Sequence, residues 1–158
     1  MTSSLVIREI CDGDADQVVA LWHAAGVSRP WNDPATDIAF ARQGPHSTIL
    51  VAHDEASAAA QAGHPLVATA MVGMDGHRGW VYYVACDPGR RRQGLGRAIM
   101  AAAERWLTAR GVWKVQLLVR AGNDDARTFY EHLGYHDTGT TCLQKVLQPI
   151  GPESIGSG

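Results

Sequence analysis

The sequence predicts an α/β (α+β) fold, with one mixed central sheet and helices on both faces. Three observations carry this. Six short runs of β-branched, aromatic or alternating apolar residues are bounded by Gly, Pro, Asn and Asp. Four longer stretches place apolar residues at helical spacing. The order is β-α-α-β-β-β-α-β-α-β, in which strands joined by loops imply antiparallel hairpins and strand-helix-strand passages imply crossovers. With 158 residues, 46% of them hydrophobic, residues 1–148 are expected to form a single domain around one core. Residues 149–158 are rich in Pro, Gly and Ser and are expected to be a disordered tail.

Residues 5–10 alternate as a first strand, and Asp12-Gly13-Asp14-Ala15-Asp16 supplies a turn and a helix N-cap. Val18, Leu21, Trp22 and Ala25 form a helical stripe ended by Gly26, which predicts a helix over 15–25. Two prolines interrupt the next segment, Arg29-Pro30-Trp31-Asn32-Asp33-Pro34. Asp33 with Pro34 reads as N-cap and first position of a second helix reaching Gln43. Arg29, Trp31, Asn32 and Asp33 offer a guanidinium, an indole, an amide and a carboxylate, more chemistry than a connector needs. The same residues also fit a structural role, with Trp31 plugging a core edge and Arg29 paired with Asp33.

Residues 47–52 and 66–72 read as the second and third strands, joined by a long, mobile hairpin loop over 53–64 that has neither alternation nor much charge. Asp75-Gly76-His77-Arg78-Gly79 is a tighter turn into an aromatic fourth strand over 80–86. A helix over 94–110 closes on Arg110-Gly111. A fifth strand over 113–119 becomes continuously apolar, as an interior strand would. Asn123-Asp124-Asp125 caps a short helix that Gly134 ends, and residues 141–147 read as a last strand.

The stretch Asp87-Pro88-Gly89-Arg90-Arg91-Arg92-Gln93-Gly94-Leu95-Gly96-Arg97 organises the rest. A strand runs through a glycine-containing turn into a helix N-terminus, where unpaired N–H groups and the positive end of the helix dipole favour an anion such as a phosphate. The same residues also fit an ordinary strand-to-helix turn beside a solvated arginine cluster. There is no Gly-Lys-Ser/Thr of a triphosphate loop and no Gly-x-Gly-x-x-Gly after an early strand.

A net charge of -2 gives no electrostatic reason to expect nucleic-acid or membrane binding, and only the run Arg90 to Arg92 argues for a nucleic-acid partner. Cys11, Cys86 and Cys142 are widely spaced, which fits a reduced, cytoplasmic protein with buried thiols. No signal peptide and no apolar run of membrane-spanning length is recognisable. The seven histidines form no Cys/His cluster, so no metal is expected.

Pro88, Arg91-x-x-Gly94-x-Gly96 and, further on, Asn123-x-x-Ala126-x-x-Phe129-Tyr130-x-x-x-Gly134-Tyr135 together resemble the two signature segments of the GNAT acyl-CoA N-acetyltransferase superfamily. Segments 29–34 and 75–79 further resemble its small bacterial YpeA-type branch. The resemblance implies a mostly antiparallel sheet with splayed middle strands, and acetyl-CoA as the acyl-donor cosubstrate. Arg91, Arg92, Gln93, Gly94, Leu95, Gly96 and Arg97 would surround the coenzyme A pyrophosphate. Val84, Ala85 and Cys86 would pair with the pantetheine arm, an N–H near Val84 polarising the thioester carbonyl. Asn123 would bond that arm or cap the last helix. Tyr130 would protonate the departing thiolate, as a neutral phenol can, although it also fits a core aromatic beside Phe129.

What this implies is direct transfer of acetyl to a primary amine, of a small molecule or a peptide, in a ternary complex. Arg29, Trp31, Asn32 and Asp33 would line the acceptor side. Cys86 has no identified His partner and reads as a structural thiol. The family's base is missing: Leu118 stands where some members carry a glutamate, and Trp80 to Tyr83 where others do. His77, Asp75 and Asp33 remain as candidates. About 14% of an α-amine but only about 0.04% of a lysine amine is neutral at pH 7, so weak base equipment favours a low-pKa amine. The absent base equally fits an acyl-CoA sensor that turns over no amine. The short segment after Gly134 leaves room for a second subunit, so a homodimer is compatible with the sequence.

Overall fold

The structure is a computed structural model that describes residues 4–55 and 66–148. Residues 56–64 of the expected hairpin loop, residue 65 and the expected tail, 149–158, lie outside the described residues. The chain divides into two compact units. One comprises the chain up to Arg29 together with Asp33–Leu117; the other comprises Pro30–Asn32 and the chain from Leu118 onward.

The first unit holds a five-stranded sheet in the order β1-β2-β3-β4-β5. Its strands are β1 (Leu5–Glu9), β2 (Ser47–Asp54), β3 (Leu66–Met74), β4 (Gly79–Cys86) and β5 (Val115–Gln116). The first four pair antiparallel in sequence order, and β5 joins β4 in parallel. This is the mixed, mostly antiparallel sheet expected. It follows from chemistry already visible: three loop-joined strands give meander pairing, and the helix between β4 and β5 gives the one parallel pair.

Helices α1 (Ala15–Ala24) and α2 (Pro34–Ala41) cover one face and α3 (Leu95–Thr108) the other. Alternation along the strands divides the core. Ile49 and Val51 join Val18, Leu21, Trp22 and Ile38 on the α1/α2 side. Gly79 lies under α3 so closely that a Cβ there would stand 2.7 Å from Leu107. The α3 stripe Leu95, Ile99, Met100, Ala103, Trp106 and Leu107 is buried, as its spacing demands.

The second unit holds α4 (Asp124–His132), whose C-terminus turns at Gly134 with φ 96°. Here the expectations need correction. The fifth strand was expected over 113–119, yet only Val115 and Gln116 pair, with Gly79 and Trp80, and Leu118 is exposed rather than interior. No ladder forms over 141–147, where Leu143 and Leu147 are exposed. An alternating run becomes a strand only where a neighbouring backbone meets its N–H and C=O groups, and periodicity cannot supply that neighbour.

Candidate active site

The turn after β4 is built from local bonds. Asp87 N–H donates to Val67 O at 2.8 Å, and Arg90 N–H to Asp87 O at 3.0 Å. The Asp87 carboxylate accepts Gly89 N–H at 2.9 Å. Beyond this 3-10 turn over Pro88–Arg90, Arg92 (φ 64°) and Gly94 (φ 76°) both take left-handed backbone, which for Arg92 costs about 1–2 kcal/mol. No side chain caps α3, whose N-cap is Gly94. The first α3 N–H groups therefore lack both intrahelical and side-chain acceptors and sit at the positive end of the helix dipole. Buried Leu95 anchors this end, while Arg91, Arg92 and Arg97 stand exposed around it. Such a concave run of N–H groups can take a phosphate.

The three consecutive arginines divide. Arg90 is tied to Asp54 at 3.0 Å and to Gln93 at 2.9 Å, so it braces the turn against β2. Arg91 and Arg92 remain in solvent.

Strand β4 supplies the other half of this region. Its ladder with β5 ends at Trp80, which pairs with Gln116, the last residue of β5. Opposite β3, Thr69 faces Ala85 and Met71 faces Tyr82, which leaves Tyr83 and Val84 together against the single residue Ala70. This is a β-bulge, with Tyr83 at φ 51°. Trp22 stacks on the Tyr83 ring at 3.9 Å and 7° and donates its indole N–H to Thr69 Oγ1 at 2.9 Å. Thr69 in turn donates to Tyr83 O at 3.3 Å, and the Tyr83 hydroxyl donates to Asp37 Oδ2 at 2.5 Å. Cys86, next along, is half-buried, and burial pushes its thiol up, which suits a structural thiol better than a nucleophile. Cys11 and Cys142, expected to be buried, are exposed.

The candidate bases behave differently. His77 sits in the turn between β3 and β4, its N–H bonded to Asp75 Oδ1 at 2.9 Å. Seven residues along the strand direction separate it from Val84, about 20 Å at strand rise, so the structure does not bring these two together. The Asp75 carboxylate accepts the N–H groups of Arg78 and His77 and the Trp80 indole, which hold it below its ordinary range. Asp33 stands at the N-cap position of α2, where its carboxylate takes the Thr36 hydroxyl at 2.5 Å and no backbone N–H, while Arg29 donates to Gly26 O at 3.2 Å. The Arg29–Asp33 ion pair therefore does not form.

In the second unit, Asn123 Oδ1 accepts Ala126 N–H at 3.2 Å and caps α4, one of the two roles its position allowed. Tyr130, seven residues on, is half-buried and meets Phe129 and Tyr135 edge-on at 5.0 and 5.9 Å. Trp31 lies under the Arg120 guanidinium at 5.2 Å, a partner its own segment did not announce. Asn32 is exposed. Among the described residues no three His, Cys, Asp or Glu side chains gather as a metal site, and no helix is long and apolar enough to cross a membrane.

Sequence reasoning missed Asp37, Tyr83, Asp54 and Arg120. Only Asp37 had a signal, its spacing of four from Asp33 on one helix face.

Comparison with known proteins agrees with this architecture. AAC(6')-Iy, solved with CoA, superposes with a TM-score of 0.74 at 15% identity, covering 94% of this chain and 98% of that one. A tetramutant of the BH1408 protein from Bacillus halodurans gives 0.67 at 26% identity, covering 89% and 99%. The aminoglycoside acetyltransferase meta-AAC0020 from an uncultured soil metagenomic sample, solved with sisomicin, gives 0.72 at 17% identity, covering 91% and 97%. The family model for the acetyltransferase (GNAT) family matches residues 16–135, a span that contains the sheet from β2 to β5, the uncapped helix turn and α4. With that match over most of its length, the chain belongs to the acetyltransferase (GNAT) family.

Proposed function

We propose that this protein transfers an acetyl group from acetyl-CoA to a primary amine of a small molecule or peptide, by direct attack in a ternary complex. The observation that carries this is one continuous path in the first unit: β4, whose ladder with β5 ends at Trp80, leads into the N-terminus of α3, which no side chain caps. That path suits a ligand with an amide-rich arm and a pyrophosphate. Val84, Ala85 and Cys86 pair with the arm. Arg91 to Arg97 surround the pyrophosphate, with Arg91 and Arg92 adding charge. The Val84 N–H, in the bulge, meets the developing oxyanion.

Tyr130 delivers a proton to the departing thiolate, and Asn123 holds the start of its helix by capping it. Arg29, Trp31, Asn32 and Asp33 serve the acceptor. Segments 29–34 and 75–79 support a place near the YpeA-type branch, and three unpaired thiols support a cytoplasmic setting. The position of His77 at the far end of β4 favours a proton acceptor elsewhere.

Calorimetry with acetyl-CoA, followed by a thiol-release assay on a panel of amines, tests this. Binding with turnover that Tyr130→Phe abolishes supports transfer. Binding without turnover on any amine supports the acyl-CoA sensor instead, and no binding sinks both.

A further inference from the structure

Resting on the acetyltransferase reading, we infer that Asp37 and Tyr83 form the proton-accepting pair for the acceptor amine. Tyr83 is a non-glycine residue held at φ 51°, a conformation that costs on the order of 1–3 kcal/mol and persists only where its surroundings over-determine it. Three elements do so. Trp22 from α1 stacks on its ring, Thr69 from β3 holds its carbonyl, and Asp37 from α2 takes its hydroxyl at 2.5 Å. The bulge sets Tyr83 and Val84 together against Ala70, so the residue that carries the phenol directly precedes the Val84 N–H that the proposed mechanism gives to the thioester carbonyl.

Among the described residues no arginine or lysine forms an ion pair with Asp37, so no cation holds its charge in place. Its side chain is bonded to the phenol, and a phenol oxygen that donates its own proton can accept an N–H in the same geometry.

The step balances as follows. The amine nitrogen forms a C–N bond to the acetyl carbon and becomes cationic, hence strongly acidic. Its N–H bond breaks toward Tyr83 Oη as the tyrosine proton passes to Asp37 Oδ2, leaving a neutral nitrogen and a carboxylic acid. The C–S bond then breaks, the thiolate takes its proton from the general acid, and Asp37 returns its proton to water.

Asp37→Asn keeps an oxygen for the Tyr83 hydrogen bond but cannot accept the proton. Tyr83→Phe keeps the stack on Trp22 but breaks the relay. Spermidine, lysine methyl ester, glycinamide and kanamycin serve as acceptors, with acetyl-CoA affinity by calorimetry and unfolding temperature measured alongside. The expected result is a loss of about a hundredfold in kcat for both variants, with acetyl-CoA affinity and unfolding temperature nearly unchanged. The loss should be smaller on the α-amine of glycinamide than on the more basic amines of spermidine, because its adduct gives up a proton to water more readily. A purely structural role would scale every amine alike. Transfer by either variant at the parent's rate, or an equal loss on all amines together with weaker acetyl-CoA binding, overturns the assignment. Absence of any transfer by the parent overturns the acetyltransferase reading itself, and this pair with it.

Discussion

Arg90 Nη2 donates to Asp54 Oδ2 at 3.0 Å, joining the turn before α3 to the end of β2 across 36 residues of sequence. Both side chains are largely shielded, and Arg90 also reaches Gln93 at 2.9 Å. The bond therefore preorganises the backbone that is proposed to receive pyrophosphate. Arg90→Ala should weaken acetyl-CoA binding by roughly tenfold, about 1.4 kcal/mol, through loss of that order. Calorimetry on Arg90→Ala and Asp54→Asn checks it; equal weakening in the two single variants and the double variant is expected, since they break the same link.

Gly94 has φ 76°, and a Cβ added there would have nothing within 4 Å, so Gly94→Ala meets backbone strain and no clash inside the protein. The left-handed penalty of about 1–2 kcal/mol should lower the unfolding temperature by about 2–8 °C. A ligand that approaches the main chain here should suffer additionally from the methyl group. Thermal unfolding with and without acetyl-CoA separates the two effects, and an undiminished ligand-induced shift would show that the main chain at Gly94 is not approached.

Arg8 bonds the Asp14 carboxylate with two nitrogens, at 2.6 and 3.0 Å, and Cys11 N–H adds a third bond at 2.8 Å. The Arg8 hydrogen bond, foremost, holds buried Asp14 at about 2, below its ordinary 3.8. A lowered folded-state value means stability present above the unfolded value and lost as pH falls. On the order of 2 kcal/mol should therefore be present above about pH 4 and disappear between about pH 4 and pH 2. Denaturant titrations should show this slope, and Asp14→Asn should flatten it while lowering stability at pH 7.

The three thiols should react unequally. Cys11 and Cys142 are exposed, whereas burial raises the Cys86 thiol and screens it. At pH 8, labelling with iodoacetamide should modify two cysteines quickly and Cys86 slowly, as mass spectrometry of the digested protein would reveal. Bound acetyl-CoA should slow Cys86 further, because the proposed pantetheine arm runs along its strand.

The sequence alone determined what depends on near neighbours in the chain. Apolar spacing placed four helices and the first four strands, and Asp33-Pro34, Asn123 and Gly94 marked helix starts that the structure retains. The turn that leads into α3 was legible for the same reason: a glycine before an amphipathic run is a local signal. Tertiary structure alone decided where strands meet and where they stop. Val115 and Gln116 pair while Leu118 does not, and residues 141–147 find no ladder, because a strand exists only with its partner. It also decided the Tyr83 bulge and the bond from Tyr83 to Asp37, 46 residues apart. Register and long-range hydrogen bonds arise from how whole elements pack, and no periodicity within one element encodes them.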